Sequence, residues 1–271
     1  MKIFKNKKQL KRQIGNKNSI SFVPTMGGLH KGHISLIKTA KKYKNETLVS
    51  IYVNPKQFNK KEDYKKYPRN LSRDLKILRK LKVNYLYLPT YKDLFKFKPR
   101  HKIYLHKFSK TLCGKYRKYH FNGVLNVVNR FLEIIRPKYL FLGLKDFQQL
   151  TLIKKHILKN KIPTKITSCR TIRESNGVAC SSRNFNLNKN EMKIAKDVTN
   201  YLIKIKKKTR KNLRFFNSVI LKKDLIKIGV NKIDYLEIIN RKTLQKPKKS
   251  NETFNIFIAY YLNKIRLIDN I

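Results

Sequence analysis

Two hydrophobic rhythms alternate along the first two thirds of the chain. ISFVPT (20–25), TLVSIYV (47–53), NYLYLP (84–89), KYLFLGL (138–144) and TKITSCR (164–170) are short runs rich in apolar, β-branched and aromatic side chains, and they read as strands. Between them, HISLIKTAKKY (33–43), SRDLKILRKL (72–81), NGVLNVVNRFLEIIR (122–136) and DFQQLTLIKKHILKN (146–160) return apolar residues at helical spacing. Ser72 offers an N-cap for the second helix, and Pro137 stops the third. Strand, helix and strand in succession predict right-handed crossovers and a parallel sheet, hence an α/β domain of doubly wound, Rossmann-like type. Ligands of such sheets bind beyond the carboxyl ends of the strands, where the loops after residues 25, 53 and 144 fall.

Past about residue 185 the rhythm changes. KNEMKIAKDVTNYLIKIKKK (189–208) and FFNSVILKKDLIKIG (215–229) read as helices, and DYLEIIN (234–240) and NIFIAYYL (255–262) as strands. The expectation is a catalytic domain over 1–184 and a smaller α+β domain over 185–271, without internal repeats.

Composition changes this picture little. At 271 residues and 41% hydrophobic, the chain is long and apolar enough for a real core. No apolar run reaches the roughly 18 residues of a membrane span, and MKIFKNKKQLKRQ lacks the apolar centre of a signal peptide. Cys113, Cys169 and Cys180 are odd in number and widely spaced, which fits neither a disulfide framework nor a metal site and points to the cytoplasm. The net charge of +51 invites a nucleic-acid reading. The lysines, however, are spread over the whole chain, alongside abundant Asn, Ile, Phe and Tyr and only four alanines. All five abundant types have codons made wholly of A and T. Drift in an AT-rich gene therefore accounts for the charge without a specific nucleic-acid partner.

The chemistry concentrates in PTMGGLHKGH (24–33). Gly27 and Gly28 strip side chains from a strand-to-helix junction, so backbone can approach a phosphate. The N–H groups at a helix N-terminus favour an anion. His30 and His33, three apart, project to one side of a helical turn and can both donate to one triphosphate. A plainer reading is a capped helix with incidental histidines. Downstream, Gln57 stands in a turn after a strand. Lys145 stands in Gly-Leu-Lys-Asp at a strand end, where a cation neutralises phosphate charge. Asp146 either caps the following helix or meets ribose or metal, and it shares a helix face with Gln149. Ser181, Ser182 and Arg183 supply two hydroxyls and a five-donor guanidinium.

PTMGGLHKGH resembles the His-x-Gly-His signature of adenylate-forming nucleotidylyltransferases. With SIYVNPKQF (50–58), YPRNLSRDL (67–75), RKYHFNGVLNVV (117–128), GLKDFQQL (143–150) and RESNGVACSSRN (173–184), the chain resembles the pantoate–β-alanine ligase family over nearly its whole length. DYLEI and RLIDNI are similar to that family's C-terminal domain. The resemblance implies a two-step ligase. Pantoate attacks the α-phosphate of ATP to give pantoyl adenylate and diphosphate. The β-alanine amine then attacks the acyl carbon, giving pantothenate and AMP. It implies ATP contacts from Met26, Gly27, Gly28, Leu29, His30, Lys31, Gly32, His33, Gly143, Leu144, Lys145, Asp146, Ile172, Cys180, Ser181, Ser182 and Arg183, with His33 as proton donor and His30 and Lys145 beside it in catalysis. Gln57 and Gln149 would hold pantoate, and Gln57 also β-alanine. Mg²⁺ would accompany the nucleotide, with Asp74 as its protein ligand because Arg73 stands where relatives often carry an acid. The resemblance further implies a homodimer; the smaller C-terminal domain is expected to act as a lid, and the Ser181–Arg183 loop to be mobile and close on ATP. Two rivals arise from the same residues: a nucleotidylyltransferase for another acid, and a basic nucleic-acid-binding protein.

Overall fold

The computed structural model describes residues 1–15, 19–59 and 61–271. They form two compact units, Met1–Ile172 and Arg173–Ile271.

The first unit is built on six parallel strands: β1 (Lys2–Phe4), β2 (Ile20–Thr25), β3 (Glu46–Ile51), β4 (Tyr85–Tyr87), β5 (Tyr139–Gly143) and β6 (Lys165–Cys169), in spatial order β1-β4-β3-β2-β5-β6. The chain runs outward from β2 through β3 to β4, then returns to place β5 on the other side of β2. That reversal makes the carboxyl ends of β2 and β5 the topological switch point, the place where doubly wound sheets open a ligand crevice. The helices are α1 (Lys7–Ile14), α2 (Lys31–Lys41), α3 (Lys61–Lys65), α4 (Leu71–Lys80), α5 (Tyr91–Phe95), α6 (Cys113–Tyr116), α7 (His120–Ile135) and α8 (Phe147–Lys159).

Alternation along each strand sends neighbouring residues to opposite faces. Val23 and Val49 are opposed in register and join Ile37 and Ala40 of α2 and Leu78 of α4 in one core. Phe22 faces the other way and meets Phe131 of α7, ring centroids 5.4 Å apart. The sheet is therefore covered on both faces, the doubly wound α/β arrangement expected from the pattern.

The second unit packs α9 (Lys189–Lys211) and α10 (Ser218–Lys227) with an antiparallel sheet of β7 (Lys232–Asn240), β8 (Phe254–Leu262) and β9 (Ile265–Asn270). Its core joins Ala195, Val198 and Leu202 of α9 to Leu225, Leu236, Ile256 and Ile258. It begins at Arg173, ahead of the expected boundary at 184/185. Arg173 donates to both carboxylate oxygens of Asp269, at 2.7 and 3.1 Å, and Val178 is part of this core, so residues 173–184 fold with the C-terminal helices and sheet.

Local chemistry moved one element end. Asn70, not Ser72, caps α4, its side chain accepting from the Arg73 N–H at 2.9 Å, and Ser72 is an exposed first-turn residue. Among the described residues no helix is long and apolar enough to cross a membrane.

Candidate active site

The loop after β2 is tied down from below. Gly27 and Gly28 take positive φ, +77° and +60°, which glycine tolerates without strain. Their turn wraps the carboxylate of Asp74, in the first turn of α4. Gly28 N–H donates to Asp74 Oδ2 at 2.9 Å, and Leu29 N–H donates to Oδ1 at 2.8 Å. The fit is close: a Cβ at Gly27 would lie 3.0 Å from Asp74 Oδ2. Thr25 Oγ1 accepts from Gly27 N–H at 3.2 Å and donates to the carbonyl of Ser50 on β3.

Three sequence expectations change here. The glycine N–H groups are turned inward on Asp74 and Thr25 rather than outward toward an anion. Asp74, expected to hold Mg²⁺, is 1% exposed with each oxygen accepting a backbone N–H, so it clamps the turn. Burial raises its pKa, while those two hydrogen bonds and Arg73 work the other way. Leu29, expected among the nucleotide contacts, is fully buried in the core under the sheet, which leaves its side chain no ligand to touch.

His30 caps α2. Its Nδ1 accepts from Gly32 N–H at 3.1 Å, which fixes the tautomer with the proton on Nε2. One turn on, the His33 ring lies against it, centroids 4.1 Å apart. Thus the cap and the paired imidazoles of the two sequence readings are the same residues. Both histidines are held neutral. The pKa of His30 is lowered to about 4 by burial, then by Lys145 and Arg73. That of His33 is lowered to about 3 by burial, then by His30 and Lys145, with Asp146 opposing. At neutral pH they are N–H donors, not acids. The Nδ1 of His33 is buried with no hydrogen-bond partner among the described residues, a cost that a bound polar ligand can relieve.

Lys145 and Asp146 follow β5, on the far side of the switch point. They form an ion pair at 3.7 Å, and Lys145 is within electrostatic reach of both imidazoles. A Cβ built at Gly143 meets nothing within 4 Å, so the backbone at this strand end is open to a ligand. Gln149 is half-buried on the first turn of α8.

Gln57 ends a 3-10 turn after β3 and is set by partners on three elements. Its Nε2 donates to Met26 Sδ at 2.6 Å, and its backbone carbonyl accepts from Arg117 Nη2 at 3.0 Å and His120 Nδ1 at 2.8 Å. Asn54 caps the turn and donates to the carbonyl of Gly123 on α7 at 3.0 Å. A Cβ at Gly123 would sit 2.3 Å from the carbonyl of Lys56, so α7 and the turn touch backbone to backbone. Sequence reasoning assigns no role to Asn54, Arg117, His120 or Gly123, although each lies inside a quoted motif. Their partners are tens of residues away, beyond any local spacing. Gln148, next to Gln149, is structural: its amide bonds Cys113, Phe108 and Thr111.

Ile172 is half-buried at the end of the first unit. In the second unit Ser181 Oγ accepts from Arg183 N–H at 3.3 Å and caps the turn Ser182–Asn186. Ser182 is buried. Cys180, an expected nucleotide contact, is 2% exposed and its thiol donates to Glu174, so its side chain belongs to packing.

A model of the family described as pantoate-beta-alanine ligase matches residues 2–271. The chain belongs to this family. A pantothenate synthetase of Clostridium botulinum (strain Loch Maree / Type A3) is 40% identical over 93% of this chain and 90% of its own length. One from Flavobacterium psychrophilum is 39% identical over 98% and 95%. Among solved structures, the pantoate-beta-alanine ligase of Francisella tularensis, complexed with beta-gamma ATP and beta-alanine, matches with a TM-score of 0.83 at 38% identity, covering 100% of this chain and 97% of that one. The pantothenate synthetase of Thermus thermophilus matches with a TM-score of 0.90 at 28% identity over 100% and 99%. The likeness therefore extends across both units and is not confined to the histidine loop.

Proposed function

We propose that the chain is a pantoate–β-alanine ligase that makes pantothenate, AMP and diphosphate from pantoate, β-alanine and ATP. The observation that carries the site assignment is the closely packed, neutral His30–His33 pair at the switch point, with Lys145 within electrostatic reach. In the first step a pantoate carboxylate oxygen bonds to the α-phosphorus, and the bond from that phosphorus to the bridging oxygen breaks. Diphosphate leaves with the electron pair. His30 Nε2–H and the N–H of His33 donate hydrogen bonds to the charge growing on the leaving group, and Lys145 neutralises it. Donors fixed before the reaction need no reorganisation, which is where such sites gain rate. In the second step the β-alanine amine attacks the acyl carbon, AMP leaves, and the amine loses a proton. His33 serves as a hydrogen-bond donor and not as a charged acid, because its buried ring is neutral at working pH.

Gln57, locked by Met26, Asn54 and His120, and Gln149 on α8 hold the hydroxy acid through amides that both donate and accept. Gln57 also reaches β-alanine. Ser181, Ser182 and Arg183 are assigned to the nucleotide phosphates, as two hydroxyls and a guanidinium suited to anionic oxygens. No group of three His, Cys, Asp or Glu among the described residues is placed to hold a metal, and Asp74 is committed to the loop. The donor set does not fit a resident Mg²⁺. The ion enters as part of the substrate, Mg·ATP, as is usual for a cation that keeps waters and phosphate ligands. The working form is taken as a cytoplasmic homodimer, checked by light scattering.

The deciding experiment incubates the purified chain with pantoate, β-alanine and Mg·ATP. Pantothenate, AMP and diphosphate in equal amounts are expected, with ATP–diphosphate exchange that needs pantoate but not β-alanine. Absence of pantothenate, or exchange driven equally by unrelated acids, refutes the reading.

A further inference from the structure

The same clamp that shapes the histidine loop delivers a second cation. Arg73 precedes Asp74, and Asn70 holds the Arg73 N–H at 2.9 Å in the first turn of α4. Asp74 bolts that turn to Gly28 and Leu29 through two hydrogen bonds under 3 Å, one residue from His30. Arg73 is exposed, whereas the neighbouring Asp74 is buried.

We propose that Arg73 is a further phosphate-contacting residue of the reaction, a second fixed positive charge that grips the diphosphate portion of ATP from the α4 side while Lys145 grips it from the β5 side. This rests on the ligase reading above. Two features of the structure and the chemistry of the guanidinium carry it. The tether fixes the α4 turn and the histidine loop as one body, so Arg73 travels with His30. After burial, Lys145 and Arg73 both lower the His30 pKa through their charge, so each is felt at the same imidazole. Finally, a guanidinium suits a diphosphate, since its fork of donors can bond two oxygens at once. Arg73 adds a positive charge beside two uncharged N–H donors, where Lys145 is already paired with Asp146.

The test uses the full chain and its Arg73→Gln and Arg73→Lys variants, with inorganic diphosphate as the probe. Direct titration gives diphosphate affinity, and steady-state kinetics give KM for Mg·ATP and for pantoate. Arg73→Gln is expected to weaken diphosphate and raise the ATP KM by about ten- to a hundredfold, the worth of a charge-assisted hydrogen bond. The pantoate KM should stay within about twofold. Arg73→Lys should recover part of the affinity, and the His30 titration, followed by NMR, should move up in Arg73→Gln. Unchanged diphosphate affinity in Arg73→Gln overturns the proposal. So does a loss shared equally by pantoate and ATP with no recovery in Arg73→Lys, the mark of a purely structural residue. If the unaltered chain binds diphosphate but makes no pantothenate, the ligase reading fails while the Arg73 proposal is still decided by the titration.

Discussion

Replacing Asp74 distinguishes a clamp from a metal ligand. Asp74→Ala removes both acceptors and strands two buried N–H groups, those of Gly28 and Leu29. Hydrogen bonds to a charged group contribute about 1.5–3 kcal/mol each, so the pair contributes about 3–6 kcal/mol. Part of this is offset, because burying the carboxylate is itself costly, as its raised pKa records. A net loss of about 2–4 kcal/mol is expected. Asp74→Asn keeps one acceptor and turns an NH₂ toward the other N–H, so it should lose about half as much. With the loop released, the imidazoles lose their fixed aim, and pantoate-dependent ATP–diphosphate exchange should fall by at least about a hundredfold in Asp74→Ala. The assays are urea denaturation of the full chain, followed by circular dichroism, and the exchange rate at saturating Mg²⁺. A stability change below about 1 kcal/mol with normal exchange in Asp74→Ala would refute the clamp. Equally damaging would be an Asp74→Asn enzyme of normal stability that regains full rate on adding Mg²⁺, since that is how a metal ligand behaves.

Three other perturbations read out neighbouring parts of the site. His33→Ala should lower adenylation by about 10²–10³ while the circular dichroism spectrum is kept, because the lost donor acts on the transition state; an unchanged kcat would remove His33 from the mechanism. Acid should destabilise the chain through both histidines. Their folded pKa values, about 4 and about 3, lie below the ordinary 6.5, so under pH 6.5 the unfolded chain binds protons that the native one refuses. Stability then falls as pH drops from 6.5, by up to about 2–4 kcal/mol at pH 5, and the slope fades once the pH passes below the folded values. A His30→Asn/His33→Asn double variant should flatten that part of the pH profile, and an identical slope would show that other groups are responsible. Gly123→Ala should push the turn of Gln57 away from α7, since the new Cβ would lie 2.3 Å from a backbone carbonyl. Its pantoate KM should rise more than its ATP KM, and a normal pantoate KM would detach that turn from substrate binding.

Periodicity made the sheet legible because the centres of β2, β3 and β5 are buried, so each carries a short run rich in apolar and β-branched residues. It failed where burial is thin. β1 has three mostly exposed residues, and α1 buries only Leu10 and Ile14 in a segment otherwise made of Lys, Arg and Gln. β9 mixes Arg and Asp with its apolar residues, so the third strand of the second sheet was hidden. At the site, the histidine pair was legible because its two members are three residues apart on one turn. The Asp74 clamp was not, since it joins residues about 45 positions apart, and a carboxylate near a glycine loop suggests a metal before it suggests a hydrogen bond to backbone. The binding of the Gln57 carbonyl by His120 and Arg117 is equally non-local.

The extreme basicity gains a physical sense from where the 15 acids are used. Several of them, among the described residues, accept from backbone N–H groups. Asp74 accepts from two backbone N–H groups. Glu133 does the same for Arg100 and His101, and Glu252 for Lys248 and Lys249. Glu191 closes the capping box of α9, and Asp93 joins Lys7 N–H to the Tyr87 hydroxyl. Each is an anion placed where a turn or helix start has donors that nothing neutral could satisfy as well. Exposed ion pairs contribute little, so trading a surface acid for lysine costs little locally, whereas trading Asp74 strands two buried N–H donors. A chain can therefore become very basic and keep its fold, provided the substitutions avoid carboxylates that accept from backbone. On this reasoning most of the positive surface can be carried at little cost to the fold. Neutralising a set of exposed lysines remote from Lys145 should leave the ATP KM unchanged, while Asp74, one buried anion, should matter more than all of them.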